Sequence, residues 1–217
     1  MLFSNEEKDA LYKVIATRRD VRSFKCDPVP PDAVHRILVA AHQAPSVGFM
    51  QPWNFILIDS DDLKHKLAWA ADKERRALAI HYEEDKRASS FLQLKIEGIK
   101  EAPITICVTC DPTRGGAHVL GRNSIPETDM LSTACAIQNM WLASCVEGIA
   151  MGWVSFYKKA DVRDILKIPP HIDPVALISL GYTDVYPKAP ILETAKWEKR
   201  QSLQNLIYKN KWGELVE

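Results

Sequence analysis

The sequence predicts an α+β or α/β sandwich with one central sheet, and three observations predict it. Two helix-like segments come first, followed by apolar, β-rich runs that alternate with helical ones. The chain has 217 residues, enough for one sizeable core and too few for two independent domains. Its apolar content of 47% and charged content of 26% are those of an ordinary soluble domain.

Residues 5–17 read as a first helix. Leu11, Val14 and Ile15 recur at helical spacing, and Asn5, Glu6 and Glu7 suit an N-terminus. The stretch "TRRDVRSF" (17–24) loses that period and reads as an extended connector. Pro31 suits the first turn of a second helix, with Val34, Ile37, Leu38 and Ala41 as its apolar face, until Pro45 and Gly48 break it. "WNFILID" (53–59) is a buried strand. Residues 61–101 are charged and helical in character, either two helices or a helix with a mobile lid. "PITICVTCD" (103–111) is a second strand, and 113–128 a long loop of the kind that touches ligands. Residues 128–147 form a central helix stopped by Gly148. "IAMGWVSF" (149–156) and "PVALISLGY" (174–182) are further strands, with a short helix at 160–167 between them. After Tyr186 prolines and polar residues dominate, so 187–217 reads as an arm on a single domain spanning 1–217.

A net charge of zero and a pI near 7.0 argue against a protein devoted to nucleic acid. Five cysteines with no paired framework point to a reducing compartment. The acidic N-terminus lacks a signal-peptide pattern, and the most apolar window, 130–149, carries too many polar residues for a membrane span. These features together predict a cytoplasmic protein.

Cys107 and Cys110 have the C-x-x-C spacing of a redox pair, but on a strand residues three apart face opposite ways, so they read as small hydrophobes. The six histidines form no helical metal pair, and no metal is expected. "RGG" at 114–116 lacks the dinucleotide spacing. There is no phosphate-binding P-loop and no G-x-S-x-G.

"TRRDVRSF" places three guanidinium groups within five residues, with one carboxylate among them. Two readings stand side by side. In one, Arg18, Arg19 and Arg22 are a solvated cluster at a helix C-terminus with Asp20 as counterion. In the other, their planar forks hold a phosphate. Alternation turns Arg18, Asp20 and Arg22 to one side and Arg19 and Val21 to the other, so one face carries cations and a carboxylate. The positive neighbours are expected to lower the Asp20 pKa and keep it ionised, available as a general base. Two further segments stand out. "APSVGFMQPWNF" (44–55) is a packed or ligand-touching loop with Ser46, Gln51 and Asn54 as polar points. "GWVS" (152–155) ends a strand on Ser155, which either caps a turn or points into a site.

Five segments, "TRRDVRSF", "HQAPSVGFMQPWNFILI", "KIEGIKEAPITICVTCD", "GRNSIPETDMLSTACAIQNMWLASCVEGIAMGWVSF" and "WEKRQSLQNLIY", resemble the flavin-dependent nitroreductase superfamily. Within it they look most like the 5,6-dimethylbenzimidazole synthases. The resemblance runs from about residue 10 to residue 213; "SFKCDPVPPD" is only loosely family-like. It implies an α+β, nitroreductase-like fold, a central mixed sheet flanked by helices, working as a homodimer with exchanged C-terminal arms and FMN at each interface. It implies that Arg18, Arg19, Asp20, Val21 and Arg22 line the FMN, with the arginines on its phosphate side. Ser46 and Ser155 are implied as flavin contacts, and Arg200 as a further phosphate ligand. The implied reaction consumes reduced FMN with O2 and releases 5,6-dimethylbenzimidazole, the lower ligand of vitamin B12, and erythrose 4-phosphate. Asp20 and Ser155 match the family's catalytic pair, and a dry pocket of Phe49, Trp53 and Trp153 is expected around them. A separate flavin reductase is implied as supplier of the reduced flavin. Two other functions compete: an NAD(P)H-dependent nitro- or flavin reductase that retains its FMN, and a non-catalytic flavin-binding or storage module.

Overall fold

The structure is a computed structural model and describes residues 2–82 and 88–215. The expected lid region, 61–101, therefore includes five positions outside the described residues. The chain divides into two compact units, one ending at Tyr186 and the other beginning at Pro187.

Helix α1 (Asn5–Thr17) starts one residue earlier in its cap than expected. The Ser4 hydroxyl accepts the Glu7 N–H at 3.2 Å, and the Glu7 carboxylate accepts the Ser4 N–H at 2.7 Å, a reciprocal capping box. No residue of α1 is buried, and Leu11, Tyr12 and Ile15 form an uncovered apolar stripe. Helix α2 (Pro31–His42) begins on Pro31 and buries Ala33, Val34, Ile37 and Ala41.

Strand β1 (Trp53–Ile58) leads into α3 (Asp61–Leu78), capped by Ser60, then a 3-10 turn (Ala79–Tyr82) and the short α4 (Ala88–Gln93). Strand β2 (Ile104–Cys110), helix α5 (Thr128–Val146), strand β3 (Ala150–Val154), helix α6 (Lys159–Leu166) and strand β4 (Asp173–Gly181) complete the first unit. The sheet order is β1-β2-β4-β3. The sheet was expected to be mixed, but these four strands pair antiparallel throughout. Among the described residues its parallel character is confined to one bridge, between Asp20 and Met151. The connector thus behaves as a short extra strand beside β3.

Alternation along the strands separates two core layers. Ile106, Val108, Ile178 and Leu180 pack with Val34, Ile37, Ile137 and Met140 of α2 and α5. Cys107, Leu177 and Val154 pack with Leu67, Ala68 and Ala71 of α3 and Val162 of α6. Cys107 and Cys110 are free and buried. Cys110 bonds to Thr133 of α5 while Cys107 sits in the α3–α6 layer, so the two thiols diverge as a strand requires. Burial pushes the Cys107 thiol up to about 12.

The second unit holds helix α7 (Ile191–Thr194), a 3-10 turn (Leu203–Leu206) and a small bridge between Tyr208 and Leu215. None of its described residues is buried. No helix among the described residues is long and apolar enough to cross a membrane.

Candidate functional site

The site is built where the connector after α1 meets the end of β3. Val21 is buried, 2% exposed, and its N–H donates to the Met151 carbonyl at 3.0 Å. This anchor turns the flanking Asp20 and Arg22 to the same side, as alternation requires. There the Asp20 Oδ1 accepts the Trp153 N–H at 3.0 Å, and its Oδ2 meets the Arg22 Nη2 at 2.6 Å. The same Nη2 donates to the Trp153 carbonyl at 2.6 Å. One carboxylate and one guanidinium therefore grip the two main-chain groups of a single β3 residue. Gly152 permits this close approach, since a Cβ there would lie 2.1 Å from the Val21 carbonyl oxygen.

The electrostatics reverse the expectation for Asp20. Burial pushes its carboxyl above the ordinary value by more than Arg22, the Trp153 N–H and Arg18 pull it down. The connector packs into the protein, where the ionised form loses water, a desolvation that local residue spacing does not encode. Arg22 shows the matching effect, lowered by its own burial against the pull of Asp20 and Glu97.

The three arginines have separate environments. The Arg18 guanidinium lies over the Trp141 ring, 4.5 Å from its centroid, and among the described residues it makes no hydrogen bond or salt bridge. Arg19 turns back, its Nη1 donating to the carbonyls of Ala16 at 2.7 Å and Arg18 at 2.8 Å at the end of α1. Those carbonyls are the orphan acceptors of a helix C-terminus. The Arg22 Nη1 is buried with no hydrogen-bond partner among the described residues. Arg18 and this nitrogen are thus uncommitted donors beside the carboxylate, which suits a phosphorylated or carbonyl-rich ligand.

Ser155 follows the last residue of β3, two positions past Trp153. It is exposed, and among the described residues its hydroxyl has no hydrogen bond. Next to it, Phe156 packs on the buried Phe91 of α4 at 5.8 Å between ring centroids, and Phe91 stacks on Tyr82 at 4.5 Å. Tyr82 and Phe91 of the 61–101 region are thereby fastened beside Ser155.

Ser46 lies elsewhere. Its Oγ accepts the Gln51 N–H at 3.1 Å, and the next N–H, of Val47, donates to Ser132 of α5 at 3.2 Å. Gly48, Phe49 and Gln51 all take positive φ in this tight loop. Gln51 and Asn54 are engaged internally: Gln51 bonds the Phe49 carbonyl, and Asn54 bonds Thr109 and Arg114. A cavity of about 710 Å³ opens beside the loop, lined among others by His35, His42, Gln51, Trp53, Phe55 and Arg114. It contains neither Asp20 nor Ser155. Two rulers measure the separation. β1 and β3 are opposite edges of the sheet, three strand spacings or roughly 14 Å apart. Along α5, Ser132 near the loop and Trp141 near the connector are nine residues apart, about 13 Å. The expected pocket of Phe49, Trp53 and Trp153 is accordingly not assembled within one chain: Trp53 is buried at the β1 edge, Phe49 is 83% exposed, and Trp153 is on β3. Arg200 lies in the second unit and is exposed.

Trp141, Tyr186 and Phe91 are not singled out by the sequence, and Gly152 enters only as the first residue of "GWVS", though each touches the connector or the region beside Ser155. Among the described residues no three His, Cys, Asp or Glu side chains gather as metal ligands would.

The profile of the nitroreductase family matches residues 15–182. A 5,6-dimethylbenzimidazole synthase of Rhodospirillum rubrum is 34% identical over 200 residues, covering 92% of this chain and 94% of the relative. Among solved structures, a BluB-like flavoprotein of Clostridium difficile superposes with a TM-score of 0.70 at 20% identity, covering 93% of this chain and 99% of the other. Iodotyrosine deiodinase bound to FMN and 3-iodo-L-tyrosine does so with a TM-score of 0.68 at 21% identity, covering 83% and 94%.

Proposed function

Because this chain belongs to the nitroreductase family, we propose that it is a flavin enzyme of the dimethylbenzimidazole synthase type. It takes reduced FMN and O2 as substrates and releases 5,6-dimethylbenzimidazole and erythrose 4-phosphate. The observation that carries this reading is the Asp20 carboxylate fixed on the Trp153 N–H, two residues before Ser155 at the end of β3.

The residues fit the ligand. Arg18 and the Arg22 Nη1 are uncommitted cationic donors, suited to the phosphate and the polar edge of a flavin. Arg19 and Val21 turn their side chains to the other face of the connector and border the ligand through their main chain. Asp20 is the base: burial makes its ionised form a stronger proton acceptor than an exposed carboxylate, and Arg22 and Trp153 hold its oxygens in one orientation. It takes a proton from the region of the ribityl C1′. The free hydroxyl of Ser155 donates a hydrogen bond to the flavin edge.

The separation of Ser46 from Asp20 supports a homodimer. If both touch one FMN, the Ser46 loop comes from a second copy, and the pocket of Phe49, Trp53 and Trp153 closes across the interface. The bare apolar stripe of α1 and the exposed Leu131 and Val146 of α5 give such an interface its apolar surface. The arm from Pro187, which buries none of its own described residues, is proposed to cross to the second copy and to bring Arg200 as a phosphate ligand. A separate flavin reductase supplies the reduced FMN.

The test is to mix the protein with chemically reduced FMN in air. Loss of flavin with appearance of the benzimidazole is the expected outcome. Simple reoxidation to FMN selects a reductase that retains its flavin, and protection of the reduced form selects a storage module. Asp20→Asn and Ser155→Ala should both slow product formation in a single turnover; wild-type rates in both would overturn their roles.

A further inference from the structure

We propose that Trp141 and Tyr186 are positioning residues that clamp the main chain of Arg19 and thereby aim the Asp20 carboxylate. This rests on the reading of Asp20 as the base. The Tyr186 hydroxyl oxygen accepts the Arg19 N–H at 2.9 Å. The Trp141 indole N–H donates to the Arg19 carbonyl at 3.2 Å. Both polar groups of the residue before Asp20 are thus held by side chains remote in sequence, one from α5 and one from the end of the first unit.

The clamp sits where the connector most needs one. Downstream of Asp20 the Val21 N–H is fixed on Met151, and upstream Arg18 leaves the helical conformation as the C-cap of α1. Without Trp141 and Tyr186, the peptides between these points lose their side-chain anchors. Trp141 acts three ways at once: it bonds the Arg19 carbonyl, it lies under the Arg18 guanidinium, and its ring sits 6.4 Å from that of Trp153, whose N–H holds Asp20. Tyr186 has a second neighbour, the Cys145 sulfur of α5 at 3.7 Å, which fixes the phenol against that helix. Burial pushes the Tyr186 phenol up, so it stays neutral while accepting from Arg19, and either the phenol or the thiol donates in the contact with Cys145.

The experiment uses Tyr186→Phe, which keeps the ring and removes only the hydroxyl, and Trp141→Phe, which keeps an aromatic face and removes the indole N–H with its five-membered ring. Each is made in the wild type and in Asp20→Glu, where an extra methylene already misplaces the carboxylate. Single-turnover product formation should fall about tenfold in the wild-type background, since sub-ångström misplacement of a reacting group is costly. In the Asp20→Glu background the further loss should stay under about threefold, because residues acting through one another are not additive. Affinity for oxidised FMN should change less than about threefold, as Arg18 and Arg22 keep their charge. Amide hydrogen exchange at Arg19, Asp20 and Val21 should quicken in both variants whether or not the protein is a synthase. Unchanged exchange, wild-type rates, or an equal loss in both backgrounds would overturn the clamp. Faster exchange together with a wild-type rate in Asp20→Asn would retain the clamp and remove the base.

Discussion

Gly152→Ala tests the placement of the connector most directly. A Cβ built at Gly152 lies 2.1 Å from the Val21 carbonyl oxygen and 3.3 Å from its carbonyl carbon. An ordinary carbon–oxygen contact is about 3.3 Å, so backbone must yield by roughly 1.2 Å. The clashing atom is main chain on both sides and cannot swing away as a side chain would. That shift stretches the 3.0 Å bond from the Val21 N–H to Met151 beyond hydrogen-bonding range and carries Asp20 off the Trp153 N–H. Overpacking costs about 1–3 kcal/mol and a stranded buried N–H about as much, offset by about 0.5–1 kcal/mol for replacing glycine in a strand. A net loss of roughly 1–5 kcal/mol follows from these terms, read as a lowered urea midpoint at unchanged slope. With Asp20 in its proposed role as base, displacing its carboxylate by about 1 Å should slow product formation about a hundredfold. A wild-type midpoint with a wild-type rate would refute both the contact and the dependence of Asp20 on it.

Other consequences are as concrete. The raised Asp20 carboxyl should place the acid limb of the single-turnover pH profile above the ordinary aspartate value of about 3.9, and Asp20→Asn should abolish that limb. Because the native value is raised, the contribution of Asp20 to stability is full below its unfolded pKa and is lost as pH rises through the native one; unfolding of wild type against Asp20→Asn across that window should show this sign. Arg122→Ala should destabilise by about 3–5 kcal/mol, since it strands Asp129 in a pair at 2.8 Å with both side chains about nine-tenths buried, and urea unfolding checks it. Arg200→Ala should weaken FMN binding by about ten- to a hundredfold while slowing chemistry less; an unchanged titration would count against a phosphate role.

The sequence revealed most of the elements because their signals are local. Pro31 opens α2, Gly148 stops the region after α5, and the apolar runs at 53–59 and 103–111 become β1 and β2 with small trims at the ends. Spacing also decided the cysteines, since strand alternation alone parts Cys107 from Cys110. The sheet's direction was less legible, because pairing is set between strands far apart in sequence. The connector joined beside β3 through a single bridge, which no local pattern announces. Residue-level chemistry followed the same division. "TRRDVRSF" identified the side of the chain that bears Asp20 and Arg22, but the fates of Arg19, Trp141 and Tyr186 depend on long-range hydrogen bonds.

The Asp20 error shows what separates a counterion from a base. Three arginines within five residues suggest a carboxylate held low by charge, and on an exposed segment that inference would stand. Here the Val21 anchor and the missing side chain of Gly152 draw the segment against β3, so the carboxylate loses water as well as gaining Arg22. Desolvation then outweighs attraction. A counterion lowered by its partners is a weak base. A carboxylate raised by burial, yet held by one guanidinium and one N–H, combines proton affinity with fixed direction. The same packing leaves the Arg22 Nη1 without a partner among the described residues, a donor beside the Asp20 carboxylate. Both features come from one backbone contact at Gly152.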